Sequence, residues 1–335
     1  MGRRVGIVGF RGYSGAELVR LLERHPGVEP VLLEHRADSE DAPQHLAAKL
    51  PMRVPSTPQA VKSEGLALVF LATPADVSME LAPGMLDAGA KVIDLSGAFR
   101  LRAPGAYSRW YREEHTAPEL LAEAVYGLPE YCRDGIAGAR LISNPGCYPT
   151  AANLAIQPLI AADAMDRACG IVCDAKSGVS GAGRKPSLKT SFCEVTENLS
   201  AYSVLDHRHV PEILMVSGIE EAELSFTAQL LPIHRGILET IYFRARGIGS
   251  ADELLNIYRR RYEKEPFVRL YQPGVMPDIR GVAHTNFCDI GVRLDAASGR
   301  AVVVSVIDNL VKGAAGQAVQ NMNLALGFNE TEGLL

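Results

Sequence analysis

The chain has 335 residues, 47% of them hydrophobic and 22% charged, enough for two packed domains. A formal charge of −5 and an isoelectric point near 5.9 leave no basic footprint for nucleic acid or anionic lipid, and no apolar run nears the ~18 residues of a membrane span. Six cysteines without paired CxxC spacing argue against a disulfide framework or a zinc site. The start "MGRRVGIVGF" runs into a strand and a glycine loop rather than a cleavable leader. The expectation is a soluble, cytoplasmic protein with reduced thiols and no metal.

In chain order, "RRVGIVGF" reads as a short apolar strand and "GAELVRLLERHP" as an amphipathic helix stopping at Pro26. "VEPVLLEH", "ALVFLATP" and "KVIDLS" are further strands, with a helix over "SMELAPGMLDAG" between the last two. Continuous apolar strands alternating with helices predict a parallel sheet covered on both faces. The alternation fades around residue 100. Later strand candidates are "GIVCDAKSGVSGAG", "FTAQLLPI", "LETIYFRAR", "FCDIGVRLD" and "AVVVSVID", several alternating and with few helices between them. They predict a mixed or antiparallel sheet with one face free for solvent or a partner. "NLVKGAAGQAVQNMNLALGF" has helical spacing and small residues, and is expected to return to the first domain. The fold class is therefore α/β. A Rossmann-type domain is expected from residues 1–148 and 310–335, and an α+β catalytic domain with a mixed sheet from 149–309.

"GIVGFRGYSG" follows the first strand and opens the first helix, the context of a dinucleotide site. Gly9, Gly12 and Gly15 let the backbone approach a pyrophosphate at the helix N-terminus, although Arg11 replaces the middle glycine of G-x-G-x-x-G. After the second strand, Glu34 suits the ribose hydroxyls of NAD while Arg36 suits the 2′-phosphate of NADP. Position alone leaves both open.

The octet "SNPGCYPT", residues 143–150, sets Cys147 between two prolines, with a helix-like run beginning beyond it. That places the sulfur at a helix N-terminus, where dipole and free N–H groups favour the thiolate. The competing reading is a buried structural cysteine beside a Pro-Gly turn. "HRHVPEI" offers His207 and His209 as proton carriers, and His234 in "PIHRG" is a third candidate. Glu212 suits either the start of a helix at Pro211 or an orienter of the imidazole, the former preferred.

The stretches "GYSGAELVRLL", "FLATP", "VIDLSGAFR", "YGLPE", "SNPGCYPT", "DAKSGVSGAGR", "HRHVPEI", "LLPIHRGI" and "DNLVKGAAGQAVQNMN" follow one another from residue 6 to residue 323. Together they resemble the N-acetyl-gamma-glutamyl-phosphate reductase family, related to aspartate-semialdehyde dehydrogenase. The resemblance implies a glyceraldehyde-3-phosphate dehydrogenase-like second domain and NADP(H)-dependent reduction of N-acetyl-glutamyl phosphate through a thioester on Cys147. It implies proton exchange by His209, leaving His207 a surface or capping contact, and a phosphate contact from Arg100, while Asn144 beside the cysteine suits a substrate contact that shapes the oxyanion environment. Arg100 as a structural ion pair and Asn144 as a turn cap are the competing readings. It further implies dinucleotide contacts from Gly9, Arg11, Gly12, Tyr13, Ser14, Gly15, Arg36, Thr73, Ser180, Gly181, Asn309 and Gly313. A homodimer or homotetramer through the second domain's sheet is expected. His35 stands where that family commonly has Ser or Thr, and "DSEDAPQHLAAKLP" is atypical of it. The nearest alternatives are the same chemistry on aspartyl or carrier-bound aminoadipyl phosphate, and a non-catalytic nucleotide-binding protein on the same fold.

Overall fold

The computed structural model describes residues 2–35 and 51–335. The chain divides into two compact units, one drawn from Met1–Ser108, Glu113–Asn144 and Ala315–Leu335, the other from Arg109–Arg112 and Pro145–Ala314. Among the described residues, no helix is long and apolar enough to cross a membrane.

The first unit holds a seven-stranded sheet of β1 (Arg3–Val8), β2 (Val28–Glu34), β3 (Met52–Pro55), β4 (Leu68–Leu71), β5 (Lys91–Asp94), β6 (Val125–Tyr126) and β7 (Leu141–Ser143). The order is β3-β2-β1-β4-β5-β7-β6, and every pairing is parallel. Val5, Ile7, Val8 and all of Leu68–Leu71 are fully buried, which is why these strands read as unbroken apolar runs. The first helix is Tyr13–Leu22, ending four residues before Pro26, and another spans Ala75–Asp87. The final helix, Gly316–Leu326, belongs to this unit and is preceded by a π-helical turn over Val311–Ala315. The helical spacing seen from residue 309 onward is thus broken before the α-helix begins, and the π-turn itself lies in the second unit up to Ala314.

The second unit holds β8 (Ile171–Gly178), β9 (Ser200–Tyr202), β10 (Leu224–Leu231), β11 (Ile237–Arg244), β12 (Val268–Leu270), β13 (Cys288–Asp295) and β14 (Arg300–Ile307). They run in the order β12-β13-β14-β11-β8-β10-β9 as a mixed sheet. Alternate residues of β8, β10 and β11 are buried, and those on the opposite face include exposed Val172 and Tyr242. The helix Cys147–Ala161 covers the buried face, where Ser305 Oγ donates to the Ala151 carbonyl at 2.9 Å. Tyr258 and Tyr262, on the helix Ala251–Tyr262, donate to the carbonyls of Ala155 and Leu154 at 2.6 and 2.7 Å. The helix that begins at Cys147 is therefore pinned along its length.

Candidate active site

In the first unit β1 lies between β2 and β4, so the sheet order reverses beside it, the place where open α/β sheets bind ligands. Residues following these three strands line a cavity of about 230 Å³: Gly9, Phe10, Arg11 and Gly12 after β1, His35 after β2, and Thr73 and Pro74 after β4. Gly9 has φ +77°, and a Cβ on it would stand 2.2 Å from the Ala72 carbonyl oxygen. A Cβ on Gly15 would stand 2.2 Å from the Gly9 carbonyl oxygen, so both positions demand glycine. Gly12 caps the helix from extended backbone with no side-chain hydrogen bond, and the first turn holds no acidic residue. An uncapped helix start beside a glycine turn and a cavity fits a dinucleotide pyrophosphate.

Tyr13 is exposed and Ser14 half-buried at the same helix start, and the Thr73 hydroxyl meets Ser78 Oγ at 2.8 Å. His35 Nδ1 meets Ser56 Oγ at 3.3 Å. Arg36, with residues 38–50 of the atypical stretch, lies outside the described residues.

In the second unit Cys147 is the first residue of its helix and half-buried. The glycine before it is extended (φ −65°, ψ 153°) rather than left-handed, and Pro149 falls at the third helical position. Buried Glu212 accepts the Gly146 N–H at 2.9 Å, fastening the residue before the cysteine to the helix Val210–Ser217. Gly313 also lies against the cysteine, where a Cβ would come 2.8 Å from the Cys147 Cβ. The absence of that methyl lets the π-turn close onto the cysteine.

Cys147 opens into a cavity of about 480 Å³ that His209 also lines. His209 is buried and forms the N-cap of its helix. His207 is buried too, not at the surface, and its Nδ1 accepts the His209 N–H at 3.2 Å. Only an unprotonated Nδ1 can accept, and burial, with Arg208 adding to it, pushes His207 down to about 4. His207 is therefore a neutral acceptor that sets the backbone of His209. Tyr148 packs edge-on against both imidazoles at 5.4 and 6.0 Å, with its hydroxyl 3.1 Å from that of Tyr202. Burial holds both phenols protonated, Tyr202 pushed up to about 12. His234 is exposed, and its carbonyl accepts the Ser180 N–H.

The other sequence candidates fall into supporting networks. Asn309 Nδ2 donates to buried Ser180 Oγ at 3.0 Å, and its Oδ1 accepts the Gly236 N–H at 2.7 Å, tying the segment after β14 to the turn after β8. A Cβ on Gly181 would lie 3.0 Å from Ser177 Oγ. In the first unit, buried Arg100 gives its Nε to the Asn144 carbonyl at 2.8 Å and an Nη2 to the Leu95 carbonyl at 2.9 Å, with Asp94 nearby. Asn144 Oδ1 accepts from Asn321 Nδ2 at 3.0 Å. Trp110, Arg112, Lys189, Tyr202 and Arg208 also line the Cys147 cavity, and sequence reasoning singled out none of them. Arg208 sits inside the quoted "HRHVPEI", the one signal that pointed near it.

The chain matches the model of the semialdehyde dehydrogenase NAD binding domain over residues 4–139 and that of the semialdehyde dehydrogenase dimerisation domain over residues 147–309. It is 49% identical to the N-acetyl-gamma-glutamyl-phosphate reductase of Symbiobacterium thermophilum, covering 99% of this chain and 97% of that one. The corresponding protein of Desulforudis audaxviator is 48% identical, over 99% of this chain and 98% of the relative. Among solved structures, aspartate semialdehyde dehydrogenase II from Vibrio cholerae superposes with a TM-score of 0.73 at 19% identity, over 98% of this chain and 99% of the other. Aspartate semialdehyde dehydrogenase with NADP from Candida albicans gives 0.67 at 17%, over 97% and 98%. At those identities the structural likeness establishes the fold.

Proposed function

The chain belongs to the N-acetyl-gamma-glutamyl-phosphate reductase family, and from that membership we propose that Cys147 is its nucleophile and His209 its proton carrier. The reaction is the NADPH-dependent reduction of N-acetyl-L-glutamyl 5-phosphate to N-acetyl-L-glutamate 5-semialdehyde and phosphate, a step of arginine biosynthesis. The observation that carries the assignment is Cys147 at the first position of a pinned helix, opening into a cavity it shares with His209.

The helix start favours the thiolate, and the imidazole of His209 takes the thiol proton. Sulfur attacks the acyl carbon, the C–S bond forms, and the C–O bond to phosphate breaks with its electron pair leaving on phosphate. When bound, the reduced nicotinamide supplies a hydride. The alkoxide then present on the former thioester carbon takes the proton held by His209, giving a thiohemiacetal. This collapses to the aldehyde, the hydroxyl proton returning through the imidazole to the departing sulfur. Lys189 and Arg208 give the cavity the positive charge that suits a phosphorylated carboxylate substrate, whereas Arg112 is ion-paired with Asp206 of the same lining. Arg100 is assigned to the substrate by family pattern, and Asn144 by its place in the sequence beside Cys147. The carbonyl contacts of Arg100 and the Asn321 contact of Asn144 supply a second, anchoring role.

The coenzyme assignment, NADP(H), is supported by the glycine turn and by Arg36 in the sequence. Ser180, Gly181, Asn309 and Gly313 are assigned to the nicotinamide end by the family pattern. The match to a dimerisation domain supports an oligomer, and the open sheet face bearing Val172 and Tyr242 is assigned to a homodimer or homotetramer. A cytoplasmic location accords with a biosynthetic reductase that works through a reduced thiol.

Intact-protein mass spectrometry with acyl phosphate and no NADPH tests the nucleophile. One acyl group should add to the wild type and none to Cys147→Ser, while His209→Ala should still acylate but reduce the thioester about 10²–10⁴-fold more slowly. An adduct on Cys147→Ser, or its near-normal turnover, would refute the assignment.

A further inference from the structure

The chain from Met1 to Asn144 builds the first unit except for Arg109–Arg112, which joins the second. These four residues carry the end of the helix Pro104–Tyr111. Ion pairs within the second unit hold them at both ends: Arg109 Nη2 donates to the two carboxylate oxygens of Glu221 at 2.8 Å, and Arg112 pairs with Asp206. Exposed pairs of this kind add little to stability, but one on either side of Trp110 confines where its ring can sit. That ring lines the cavity of about 480 Å³ into which Cys147 opens. The Arg109 guanidinium carbon lies over it, 4.9 Å from a ring centroid, and takes up one face. Trp110 is half-buried, a setting in which an indole N–H usually finds an acceptor, yet among the described residues it has no hydrogen-bond partner.

The neighbouring groups are already engaged. Cys147 and His209 take the reacting carbon, and Lys189 and Arg208 suit the charged ends of the substrate. The hydroxyls of Tyr148 and Tyr202 meet each other at 3.1 Å, and those of Ser187 and Thr190 at 2.9 Å. What remains of N-acetyl-glutamyl phosphate is its acetamido group, which is planar and uncharged and carries one carbonyl acceptor and one methyl. Resting on the active-site reading above, we propose that Trp110 is the substrate-binding residue that recognises the acetamido group, its N–H donating to the carbonyl and its ring lying against the methyl. An indole suits both at once, having an apolar body and a single polar edge. The acetamido group is remote from the reacting carbon, so the contact is equal in ground and transition states and governs KM rather than kcat.

Trp110 is the chain's only tryptophan, so its emission reports the contact directly. Without coenzyme or phosphate, N-acetyl-L-glutamate 5-semialdehyde should shift the emission of the full chain saturably. The aldehyde 5-oxopentanoate, which lacks the acetamido group but can still meet Cys147, should shift it far less. Steady-state oxidation of both aldehydes with phosphate and NADP⁺ gives the second readout. Trp110→Ala should raise KM for the N-acetylated aldehyde about tenfold or more, with kcat within about threefold. Trp110→Phe, which keeps a ring without the N–H, should raise it about fivefold. For 5-oxopentanoate, kcat/KM should fall by no more than about twofold in either variant, which also reports intact folding. Equal losses for the two aldehydes, an unchanged KM in Trp110→Ala, or equal emission shifts would overturn the role of Trp110 alone. A wild type that oxidises neither aldehyde would overturn the active-site reading and this role with it.

Discussion

Replacing Gly313 with alanine probes the placement of the nucleophile without touching a reacting atom. A Cβ at that position would stand 2.8 Å from the Cys147 Cβ, and 3.2 Å from both the Cys147 Cα and Ile307 Cδ1. Carbon atoms rest together at about 3.5–4.0 Å, so the added methyl arrives roughly 1 Å too close. Neither side yields easily. The Gly313 N–H is held by the Asp308 carbonyl at 2.9 Å, and the cysteine's helix is fastened through Ala151, Leu154 and Ala155. Overpacking of this kind costs about 1–3 kcal/mol, a fall of several degrees in Tm. A nucleophile displaced by about 1 Å loses on the order of 100-fold in rate. Calorimetry should record the first effect and rapid-quench mass spectrometry of thioester formation the second. Gly105→Ala, where nothing lies within 4 Å of the added atom, is the control and should change neither. Wild-type acylation together with an unchanged Tm in Gly313→Ala would refute the view that the missing methyl places Cys147.

Two further outcomes concern the groups around the cysteine. Burial lowers His207 to about 4 from 6.5, so the unfolded chain takes up a proton that the folded state resists. The stability tied to this is full above pH 6.5 and falls away as the pH drops toward 4, by about 3 kcal/mol. Urea midpoints across that window should decline less steeply in His207→Asn, and an unchanged slope would show that His207 does not titrate in it. Glu212→Ala removes the acceptor of a buried N–H and should cost about 1–3 kcal/mol in chemical denaturation, while Glu212→Gln keeps an acceptor oxygen and should lose less. Equal losses would show that the carboxylate oxygen on Gly146 is not the contact that matters.

The first sheet was legible because parallel strands buried on both faces have to be apolar throughout, and Val5–Val8 and Leu68–Leu71 are. The second sheet was legible through alternation, as in β8 and β11. The short strands were not. β6, β7, β9 and β12 have two or three residues each, too few to show a period, and they exist because a longer neighbour supplies their hydrogen bonds. The helix Ala251–Tyr262 is a different kind of omission. Its sequence carries a start and a stop, with the Ser250 side chain capping Glu253, acidic Asp252 and Glu253 in the first turn, and Arg259–Arg261 in the last. A reading that expected few helices among those strands passed over signals that were present.

At the site, local sequence carried what local geometry decides. A glycine before a cysteine, followed by a proline within the first turn, marks a helix start, and Cys147 stands at one. The roles set by distant partners were hidden. His207 and His209 flank Arg208 symmetrically in the sequence. What separates them is that Tyr202 and Phe226, from two other segments, pack on His207, whose Nδ1 takes the backbone N–H of His209. Arg100 in "SGAFR" looks like a free cation until the Asn144 and Leu95 carbonyls are placed against it. Gly313 makes the same point most sharply. Gly9 announces itself through a left-handed backbone that other residues avoid, whereas Gly313 has an ordinary φ, and the contact under 3 Å that an added Cβ would make is with Cys147, 166 positions earlier in the chain. A steric demand made by one residue on another so far away leaves no periodicity or composition for a reader to find.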